Sequence, residues 1–416
     1  MATASVGGVT VAQDAFAASV LTSLSCGGAI TRGVHVKTRA AVLWGVGQDW
    51  KVEEIDLDPP KAGEVLVEMK AAGLCHSDEH LVTGDMVMSD EMREAAGLSE
   101  FFPVIGGHEG AGIVTEVGAG VTNVKVGDHV SASFVPSCGR CRYCSTGHQN
   151  LCDLGAGAFN KGQISDGTVR HHCRGEELNL LAKLGTFSEH TVVSEASVIK
   201  VDDDLPMTAV CLVSCGVATG WGSAVNRAGT VPGDTVVVVG IGGIGTNAVQ
   251  GAKMAGAKRI IAVDPVEFKR EKAMEFGATH TAASMAEAIP LVTDLTWGQM
   301  ADRVIMTPGV MEGELMAEAM TLTAKGGTCV VTAVAPIAQT HAAVNLFELT
   351  LWQKEIKGAI FGSLNPRRDI PNLLSMYREG DLKLDELVTR TYTLDDINVG
   401  YQDMRDGKNI RGVITF

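Results

Sequence analysis

The run "VVVVGIGGIGTNAVQGA", residues 236–252, restricts the fold more than any other part of the sequence. Four valines form a short, β-branched strand pattern, and a helical pattern follows the glycines. Gly240, Gly242 and Gly245 stand in a G-x-G-x-x-G order, with Gly243 inside the same loop. Such glycines permit a tight turn and a close approach of the backbone to a pyrophosphate at the helix N-terminus. The run therefore predicts a dinucleotide-binding Rossmann fold.

The strand after this loop, "RIIAVD", ends at Asp264. An acid about 20 residues beyond the glycines binds the ribose 2′-hydroxyl in this fold and repels a 2′-phosphate. The sequence therefore predicts NAD rather than NADP as the cofactor.

Strand and helix patterns alternate through this part of the chain, as in "RIIAVD", "KREKAMEFGA", "DRVIMT", "GELMAEAMTLTA" and "GTCVVTAV". This alternation predicts a doubly wound parallel sheet with crossover helices, an α/β fold, over residues 217–360. Residues 36–216 instead show short strands separated by Gly and Asp. Residues 361–416 return to mixed character, and we expect them to fold back onto 36–216 as one β-rich domain.

The first 35 residues are rich in Ala, Ser, Thr, Gly and Val and carry no Lys or Arg before Arg32. A secretory signal needs a basic segment before its apolar core, and this stretch lacks one. We predict a disordered N-terminal extension over 1–35, with a targeting segment as the alternative.

Charge and hydropathy exclude two classes of partner. The formal net charge is −15, whereas binding to nucleic acid requires concentrated Lys and Arg. The chain contains no apolar run close to the roughly 20 residues that span a bilayer. We therefore expect neither a nucleic-acid partner nor a membrane.

Four cysteines lie close together in "SCGRCRYCSTGHQNLC". Four thiolates fill the tetrahedral shell of zinc and leave no open position, so the spacing favours structural zinc. A disulfide framework suits small secreted domains better, and a redox pair needs one C-x-x-C beside a βαβ unit. The prediction implies a reducing, cytoplasmic compartment. The ligands would be Cys138, Cys141, Cys144 and Cys152, which leaves Cys26, Cys173, Cys211 and Cys329 as free thiols.

A second metal site is suggested by Cys75 in "CHSDEH", His108 in "GGHEGAG" and Cys215 in "LVSCGVATG". Two thiolates and an imidazole can hold zinc with a fourth position open for water or substrate. The spacing of the three residues does not by itself establish that they meet.

Several motifs in one order resemble the zinc-dependent medium-chain alcohol dehydrogenases: "CHSDEH", "GGHEGAGIVTEVG", "CGRCRYC", "LVSCGVATGWGSAV" and "GIGGIG". The resemblance covers residues 36–416 and implies a GroES-like β-rich catalytic domain beside the Rossmann domain. "LVTGDM", "QNLCDLGAG" and "NIRGVITF" more narrowly resemble actinobacterial alcohol dehydrogenases of the nicotinoprotein type. Those enzymes keep NAD tightly bound and recycle it with an external electron acceptor.

The resemblance implies that Cys75, His108 and Cys215 bind a catalytic zinc, which makes two zinc ions per chain with the structural one. Asp78 and Glu109 would orient His108 and tune the metal.

Residues around the cofactor follow from the same resemblance. Arg411 would bind the pyrophosphate, and Lys269 would lie near the adenosine ribose. His76 stands where the family often has Arg against the pyrophosphate, so the positive charge there would be weaker and pH-dependent. Phe134 would line the substrate pocket.

The implied reaction interconverts alcohols with aldehydes or ketones by hydride transfer to NAD. Zinc would polarise the substrate oxygen, and the glycine loop would hold the nicotinamide in position. The proton would leave through Ser77 and a ribose hydroxyl to His80, which would deliver it to solvent.

Three alternatives remain at this level. Thiol-dependent formaldehyde oxidation, acting on an S-hydroxymethyl-thiol, would use the same zinc residues. Quinone or enoyl reduction would use the scaffold without zinc, and a redox-inactive binding protein would lack a ligand or a glycine of the loop. We expect a homodimer or homotetramer.

Residues 89–102, "SDEMREAAGLSEFF", predict a short extra helix. Ser89 is a suitable N-cap, acids follow in the first turn, and Gly97 can end the helix. We expect this segment to lie near the pocket mouth and to modulate access of bulky substrates, unless it is a solvated surface loop.

Overall fold

The computed structural model describes residues 36–416. The predicted N-terminal extension, 1–35, and with it Cys26, lies outside the described residues. The described part contains nineteen strands and twelve α-helices.

The strands are β1 (Val36–Leu43), β2 (Lys51–Leu57), β3 (Glu64–Gly73), β4 (Val104–Ile105), β5 (Gly110–Val117), β6 (His129–Ala132), β7 (His171–Cys173), β8 (Glu176–Glu177), β9 (Asn179–Leu180), β10 (His190–Ser194), β11 (Val198–Lys200), β12 (Thr235–Val239), β13 (Arg259–Val263), β14 (His280–Ala282), β15 (Ala301–Met306), β16 (Thr323–Val331), β17 (Glu355–Gly358), β18 (Val388–Tyr392) and β19 (Arg411–Thr415).

The helices are α1 (His76–Thr83), α2 (Asp90–Ala95), α3 (Arg142–Ser145), α4 (Met207–Val213), α5 (Gly216–Gly222), α6 (Gly243–Met254), α7 (Glu267–Phe276), α8 (Met285–Thr296), α9 (Leu315–Leu322), α10 (Leu346–Leu351), α11 (Pro366–Arg378) and α12 (Ile397–Arg405).

A six-stranded parallel sheet carries the glycine loop. Its order is β14-β13-β12-β15-β16-β17, which is the 3-2-1-4-5-6 order of a doubly wound nucleotide-binding fold. Every residue of β12 is buried, and its valines alternate between two cores: Val236 and Val238 on one face, Val237 and Val239 on the other. A continuous β-branched run therefore suits a strand that is covered on both faces, and the predicted α/β class is confirmed.

Two further sheets form the β-rich part of the molecule. One has the order β8-β7-β2-β1-β4-β9, and the other runs β11-β6-β5-β3-β19-β18 with β10 also on β3. Most pairings are antiparallel, and only β4–β9 and β18–β19 are parallel. Strand β19 pairs with β3, so the C-terminal segment belongs to the same sheet as a strand from the N-terminal part of the described chain. The limits of the two domains stay predictions: 36–216 with 361–416 for the β-rich domain, and 217–360 for the Rossmann domain.

Helix α2 begins and ends as its sequence indicates. The Ser89 hydroxyl accepts a hydrogen bond from the Met92 backbone N–H at 3.3 Å. Asp90 and Glu91 occupy the first turn, and Gly97 follows the helix with a φ of +66°. The helix ends two residues before this glycine, at Ala95.

Among residues 36–416, no single helix is long and apolar enough to cross a membrane. The helical segments α4 and Gly216–Arg227 together reach the length and apolar composition of a membrane span, but the chain bends by 49° between them.

Candidate active site and metal centres

The four-cysteine segment folds into a thiol cluster around α3. All four sulfur atoms lie within 4.8 Å of one another. Cys138 Sγ is 3.9 Å from Cys144 Sγ, and Cys141 Sγ is 3.9 Å from Cys152 Sγ. A disulfide would hold two sulfurs about 2.05 Å apart, whereas Zn–S bonds of about 2.3 Å in a tetrahedron place sulfurs about 3.8 Å apart. The separations therefore fit a four-thiolate zinc site.

Backbone N–H groups donate hydrogen bonds to sulfur atoms of this cluster. The N–H groups of Arg140 and Cys141 both point to Cys138 Sγ. Backbone donation from Asp153 and Cys144 lowers the pKa of Cys141 to about 6. Burial instead raises the pKa of Cys152 to about 12. Four adjacent thiols cannot all ionise unless a cation balances them, so the donor set fits Zn²⁺.

The second cluster joins side chains from three distant parts of the chain. Cys75 immediately precedes α1, His108 lies just before β5, and Cys215 immediately precedes α5. Their ligand atoms, together with a carboxylate oxygen of Glu109, lie within 4.8 Å of one another, and all four residues are buried. The Ser214 hydroxyl accepts a hydrogen bond from the Gly110 backbone N–H at 3.2 Å, which ties the Cys215 turn to the His108 strand.

Asp78 orients the imidazole of His108. Asp78 Oδ2 lies 3.1 Å from His108 Nδ1, and Asp78 Oδ1 accepts a 2.6 Å hydrogen bond from the Gly107 backbone N–H. His108 Nε2 has no hydrogen-bond partner within residues 36–416 and is buried. His108 Nδ1 has no hydrogen-bond partner among these residues either, so Asp78 holds it at ion-pair distance. A buried imidazole beside a carboxylate and within 4.8 Å of two thiols fits a zinc-binding histidine.

The charges of this cluster are strongly coupled. A hydrogen bond from Cys215 lowers the pKa of Cys75 well below its ordinary value, while the same interaction raises the pKa of Cys215. Burial opposes the charge on His108, but Asp78 and the Cys75 thiolate raise its pKa. The two thiols thus share one proton in the absence of metal, and the residues present fit a zinc that replaces it.

Glu109, predicted together with Asp78 to orient His108 and tune the metal, also pairs through its carboxylate with the guanidinium of Arg411. Burial raises the pKa of Glu109 to about 7, against the opposing effect of Arg411. Its other oxygen, Oε1, has no hydrogen-bond partner among the described residues, so Glu109 borders the metal site while its carboxylate pairs with Arg411.

Ser77 and His80 lie on α1 beside this cluster. Ser77 Oγ is 3.8 Å from Cys75 Sγ. His80 was expected to reach solvent, but it is only 3% exposed. Its Nδ1 lies 3.0 Å from Asp85 Oδ2, which also accepts a 2.6 Å hydrogen bond from the Thr83 hydroxyl. Asp85 thus links His80 to the surface, because its side chain is 27% exposed.

A cavity of about 850 Å³ opens onto the metal ligands His108 and Cys215. The ring of Phe134, predicted to line the substrate pocket, lies in its wall and packs edge-on against His108 and Phe361 at centroid distances of 5.8 and 5.6 Å. Thr219, four residues after Cys215, also lines this cavity, and its buried hydroxyl has no partner within residues 36–416. Sequence reasoning did not identify Thr219, although its position one helical turn from a ligand was an available signal.

A second cavity, of about 290 Å³, extends from Cys75 to the end of β13 and is lined by the glycine loop. Gly240 has a φ of +88°, and a Cβ there would meet Thr307 O at 2.4 Å. A Cβ on Gly245 would meet Gly240 O at 1.9 Å, whereas one on Gly242 would meet nothing within 4 Å. Gly240 and Gly245 thus make the turn possible, and Gly242 keeps the backbone open to a ligand.

The remaining predicted cofactor residues border the same cavity. Asp264 Oδ2 accepts a 2.7 Å hydrogen bond from the Ile241 N–H, which fixes the acid against the loop. Lys269 lies in the wall, and the His76 ring lies near Gly309. Desolvation, together with the positive charges of His80 and Lys269, lowers the pKa of His76, so this position carries a neutral ring near neutral pH.

Arg411 is buried between the Cys75–His108–Cys215 cluster and the glycine loop. A Cβ on Gly243 would lie 2.6 Å from Arg411 Nη1, and one on Gly216 would lie 2.5 Å from the same atom. Glycines at the starts of α6 and α5 therefore admit the guanidinium. Arg411 borders the cofactor cavity, as predicted for a pyrophosphate ligand, and at the same time it neutralises Glu109.

The fold and this pair of metal sites define a zinc-dependent dehydrogenase, and comparison with known families agrees. Residues 61–203 match the alcohol dehydrogenase GroES-like domain, and residues 243–379 match the zinc-binding dehydrogenase family. The chain belongs to the zinc-dependent alcohol dehydrogenases, and it is an oxidoreductase that interconverts alcohols with aldehydes or ketones.

Particular relatives extend along nearly the whole chain. An NDMA-dependent alcohol dehydrogenase of Amycolatopsis methanolica is 52% identical over 379 residues, covering 91% of this chain and 99% of the relative. Alcohol dehydrogenase B of Mycobacterium tuberculosis is 50% identical, covering 92% and 99%. Among solved structures, benzyl alcohol dehydrogenase of Acinetobacter calcoaceticus superposes with a TM-score of 0.82 at 28% identity, covering 92% of this chain and 99% of that one.

These relatives confirm the resemblance to actinobacterial nicotinoprotein-type enzymes, and zinc and a nicotinamide dinucleotide are the cofactors of the family. They do not favour thiol-dependent formaldehyde oxidation, since their names describe alcohol dehydrogenases. Membership of the zinc-dependent family also disagrees with zinc-free reduction and with a redox-inactive protein. The roles assigned to individual residues stay predictions.

Cys141→Ser tests the four-thiolate site. We expect the purified variant to hold one zinc ion fewer than the wild type and its Tm to fall by about 10 °C, because metal binding contributes folding free energy. Zinc is measured by atomic emission and Tm by calorimetry.

Cys173→Ala is the matched control, because Cys173 is a buried free thiol outside both clusters. It should retain the full zinc content. Full zinc content in Cys141→Ser as well would contradict the structural-zinc assignment.

Proposed function

We propose that the chain oxidises alcohols with a tightly bound NAD, which an external electron acceptor returns to its oxidised state. The observation that carries this proposal is the position of the Cys75–His108–Cys215 cluster: the 850 Å³ cavity reaches His108 and Cys215, and the glycine-loop cavity reaches Cys75 of the same cluster. Substrate and nicotinamide can then meet at one point. The narrower part of the proposal, NAD retention, is supported by the relative named as NDMA-dependent.

Zinc, when bound, would polarise the oxygen of the alcohol or of the carbonyl product. The chain's own residues then position the reactants. Phe134 and Phe361 give the substrate cavity an apolar wall that excludes water. Ile244, at the start of α6, borders both cavities and so lies where the cofactor and substrate compartments meet.

The proton of the alcohol would leave along α1. The hydroxyl of Ser77 lines the substrate cavity beside Cys75 and is the first acceptor. His80 would receive the proton next, and the bound cofactor would supply a ribose hydroxyl for this transfer. The carboxylate of Asp85 would take it from His80 Nδ1, since His80 itself is buried. Hydrogen bonds from Thr83 and His80 lower the pKa of Asp85, so it is ionised near neutral pH and would hold the proton only in passing to water.

We also propose that copies of the chain associate as a dimer or tetramer. Helix α10 exposes Leu346, Phe347 and Leu351 at 69%, 69% and 61% of their surface. It lies next in sequence to β17, an end strand of the parallel sheet. An apolar helix beside a sheet edge is the kind of surface that a symmetric partner covers.

We further propose a cytoplasmic location, supported by the nine described cysteines, all of which are free thiols. A four-thiolate metal site persists where thiols are kept reduced. Recovery of the native chain mainly in a secreted fraction of the producing cell would contradict this.

Denaturing the purified protein tests cofactor retention. We expect about one NAD per chain in the released material after gel filtration, and faster turnover with NDMA as acceptor than with added NAD, because the cofactor is held rather than exchanged. The nucleotide is quantified by chromatography.

Gly245→Val is the matched variant, since its side chain would collide with Gly240 O and distort the loop. It should purify without NAD while keeping its zinc. Wild-type protein that loses NAD on gel filtration and responds fully to added NAD would refute retention, but not alcohol oxidation.

Asp85→Asn tests the proton route. An amide cannot accept the proton, so we expect the rate of NAD reduction by ethanol at neutral pH to fall about tenfold. The rate should recover as the pH rises, because hydroxide can then remove the proton from His80. Single-turnover reduction of bound NAD across a pH series measures both effects.

The control is Asp90→Asn, a carboxylate in the same region whose side chain is 88% exposed. It should keep the wild-type pH profile. A profile for Asp85→Asn that merely runs parallel to that of the wild type would exclude Asp85 from the route.

Leu346→Glu combined with Phe347→Glu tests self-association. Two carboxylates buried at the contact would destabilise it. We therefore expect the molar mass measured by light scattering to fall to that of one chain, 43.6 kDa. Val126→Glu, at a site 57% exposed elsewhere on the surface, should leave the mass unchanged. An unchanged mass in the double variant would place the contact on another surface.

A further inference from the structure

We propose that a side compartment next to the substrate cavity binds the distal apolar end of the alcohol, so that the enzyme favours alcohols with a long alkyl or an aryl tail. The inference rests on the proposed alcohol oxidation and names its substrate class. The compartment has a volume of about 210 Å³. Its apolar wall consists of Met86, Val87, Met88, Leu98, Phe101, Phe102 and Phe159.

Helix α2, in the middle of the segment that forms the compartment, adds no buried side chain to the core, whereas Met86, Val87, Phe101 and Phe102 on either side of it pack against core residues. Helix α2 has six residues, and none of them is buried. A helix of this length is not stable alone in water, and ordering it costs conformational entropy. Because α2 buries no side chain of its own, we attribute its role to the wall that residues 86–102 form around the compartment.

Aromatic rings give the compartment its apolar character. Phe101 packs edge-on against Phe102, with ring centroids 5.5 Å apart, and against Phe159 at 6.2 Å. All three rings stay partly accessible. A cluster of accessible phenylalanines and methionines is typical of a ligand-binding surface.

The wall is held from outside, so the compartment exists before a ligand enters. The Ser99 hydroxyl accepts a hydrogen bond from the Lys161 N–H, and Asn179 Nδ2 donates to Phe101 O, both at 3.3 Å. The loop that carries Phe159 is held in turn by Lys183, whose Nζ donates a hydrogen bond to Asn160 O. A preformed wall lowers the entropic cost of binding.

Charge near the compartment selects against ionised tails. Arg93 Nη2 lies 3.2 Å from Asp90 Oδ1, and its Nη1 donates to Leu98 O. Arg93 is therefore already engaged, while Glu100 adds a negative charge to the lining. An uncharged hydrocarbon end fits this surface better than a carboxylate or a phosphate.

Met86 connects the compartment with the substrate cavity, because its side chain lines both. Its backbone N–H is fixed by a 3.1 Å hydrogen bond to His80 O, so the flexible thioether chain is what separates the two spaces. The compartment exceeds the cavity of about 150 Å³ that binds benzene in another protein. A chain that begins at the metal ligands can therefore continue past Met86 into this space.

Filling the compartment tests the inference. Leu98→Trp and, separately, Met88→Trp should each lower the ratio of kcat/KM for octan-1-ol to kcat/KM for ethanol by about tenfold, because the tail loses its apolar contacts. The ratio for 3-phenylpropan-1-ol to ethanol should fall likewise. Met92→Trp is the control, since Met92 is 43% exposed on α2 and does not line the compartment.

The outcomes separate the inference from the proposed function. Filled variants whose ratios stay within twofold of the wild type, with Tm preserved, would overturn the side compartment and leave alcohol oxidation standing. Wild-type holoenzyme that oxidises neither ethanol nor octan-1-ol with NAD or NDMA would instead defeat the proposed function. If one filled variant does not fold, the other decides, because the two enter the compartment from different positions of the wall.

Discussion

The ion pair between Arg411 and Glu109 is the contact on which the two halves of the site depend. Glu109 lies among the ligand atoms of the Cys75–His108–Cys215 cluster, and burial alone would leave its carboxylate protonated. Arg411 supplies the opposing charge from β19, and Gly243 leaves room for its guanidinium at the start of α6. A buried charge without its partner is costly, so this pair makes the metal cluster and the glycine loop adopt their positions together.

Sequence reasoning recovered the features whose cause is local. A β-branched run followed by spaced glycines has few alternative folds, and β12, α6 and β13 appear where that pattern predicts them. The four cysteines of the α3 segment are close in sequence, so their meeting around one metal requires only a short turn. Helix α2 is equally local, since the cap of Ser89 and the glycine after the helix determine it. The strand and helix patterns did not predict β14 or α8. Helix α8 contains Pro290, and a proline interrupts a helical pattern.

Features that depend on tertiary pairing could not be predicted in this way. Cys75, His108 and Cys215 are separated by more than thirty residues at each step, so only the resemblance to a family indicated that they meet. The pairing of Glu109 with Arg411 depends on the position of β19 beside β3, which no local pattern reveals. The burial of His80 and its contact with Asp85 likewise depend on packing around α1.

The structure separates the residues that fix the reaction from those that shape the space around it. The metal ligands and the loop glycines make contacts that tolerate almost no change: a Cβ on Gly245 would overlap a backbone oxygen, and one on Gly73 would overlap the carboxylate of Glu109. Helix α2 makes no comparable demand, because it buries no side chain and its residues Asp90 and Arg93 border the side compartment. Substitutions there change the volume and polarity next to the substrate without moving a ligand or the cofactor loop. A chain built in this way can alter which alcohol it accepts while its hydride-transfer chemistry stays the same.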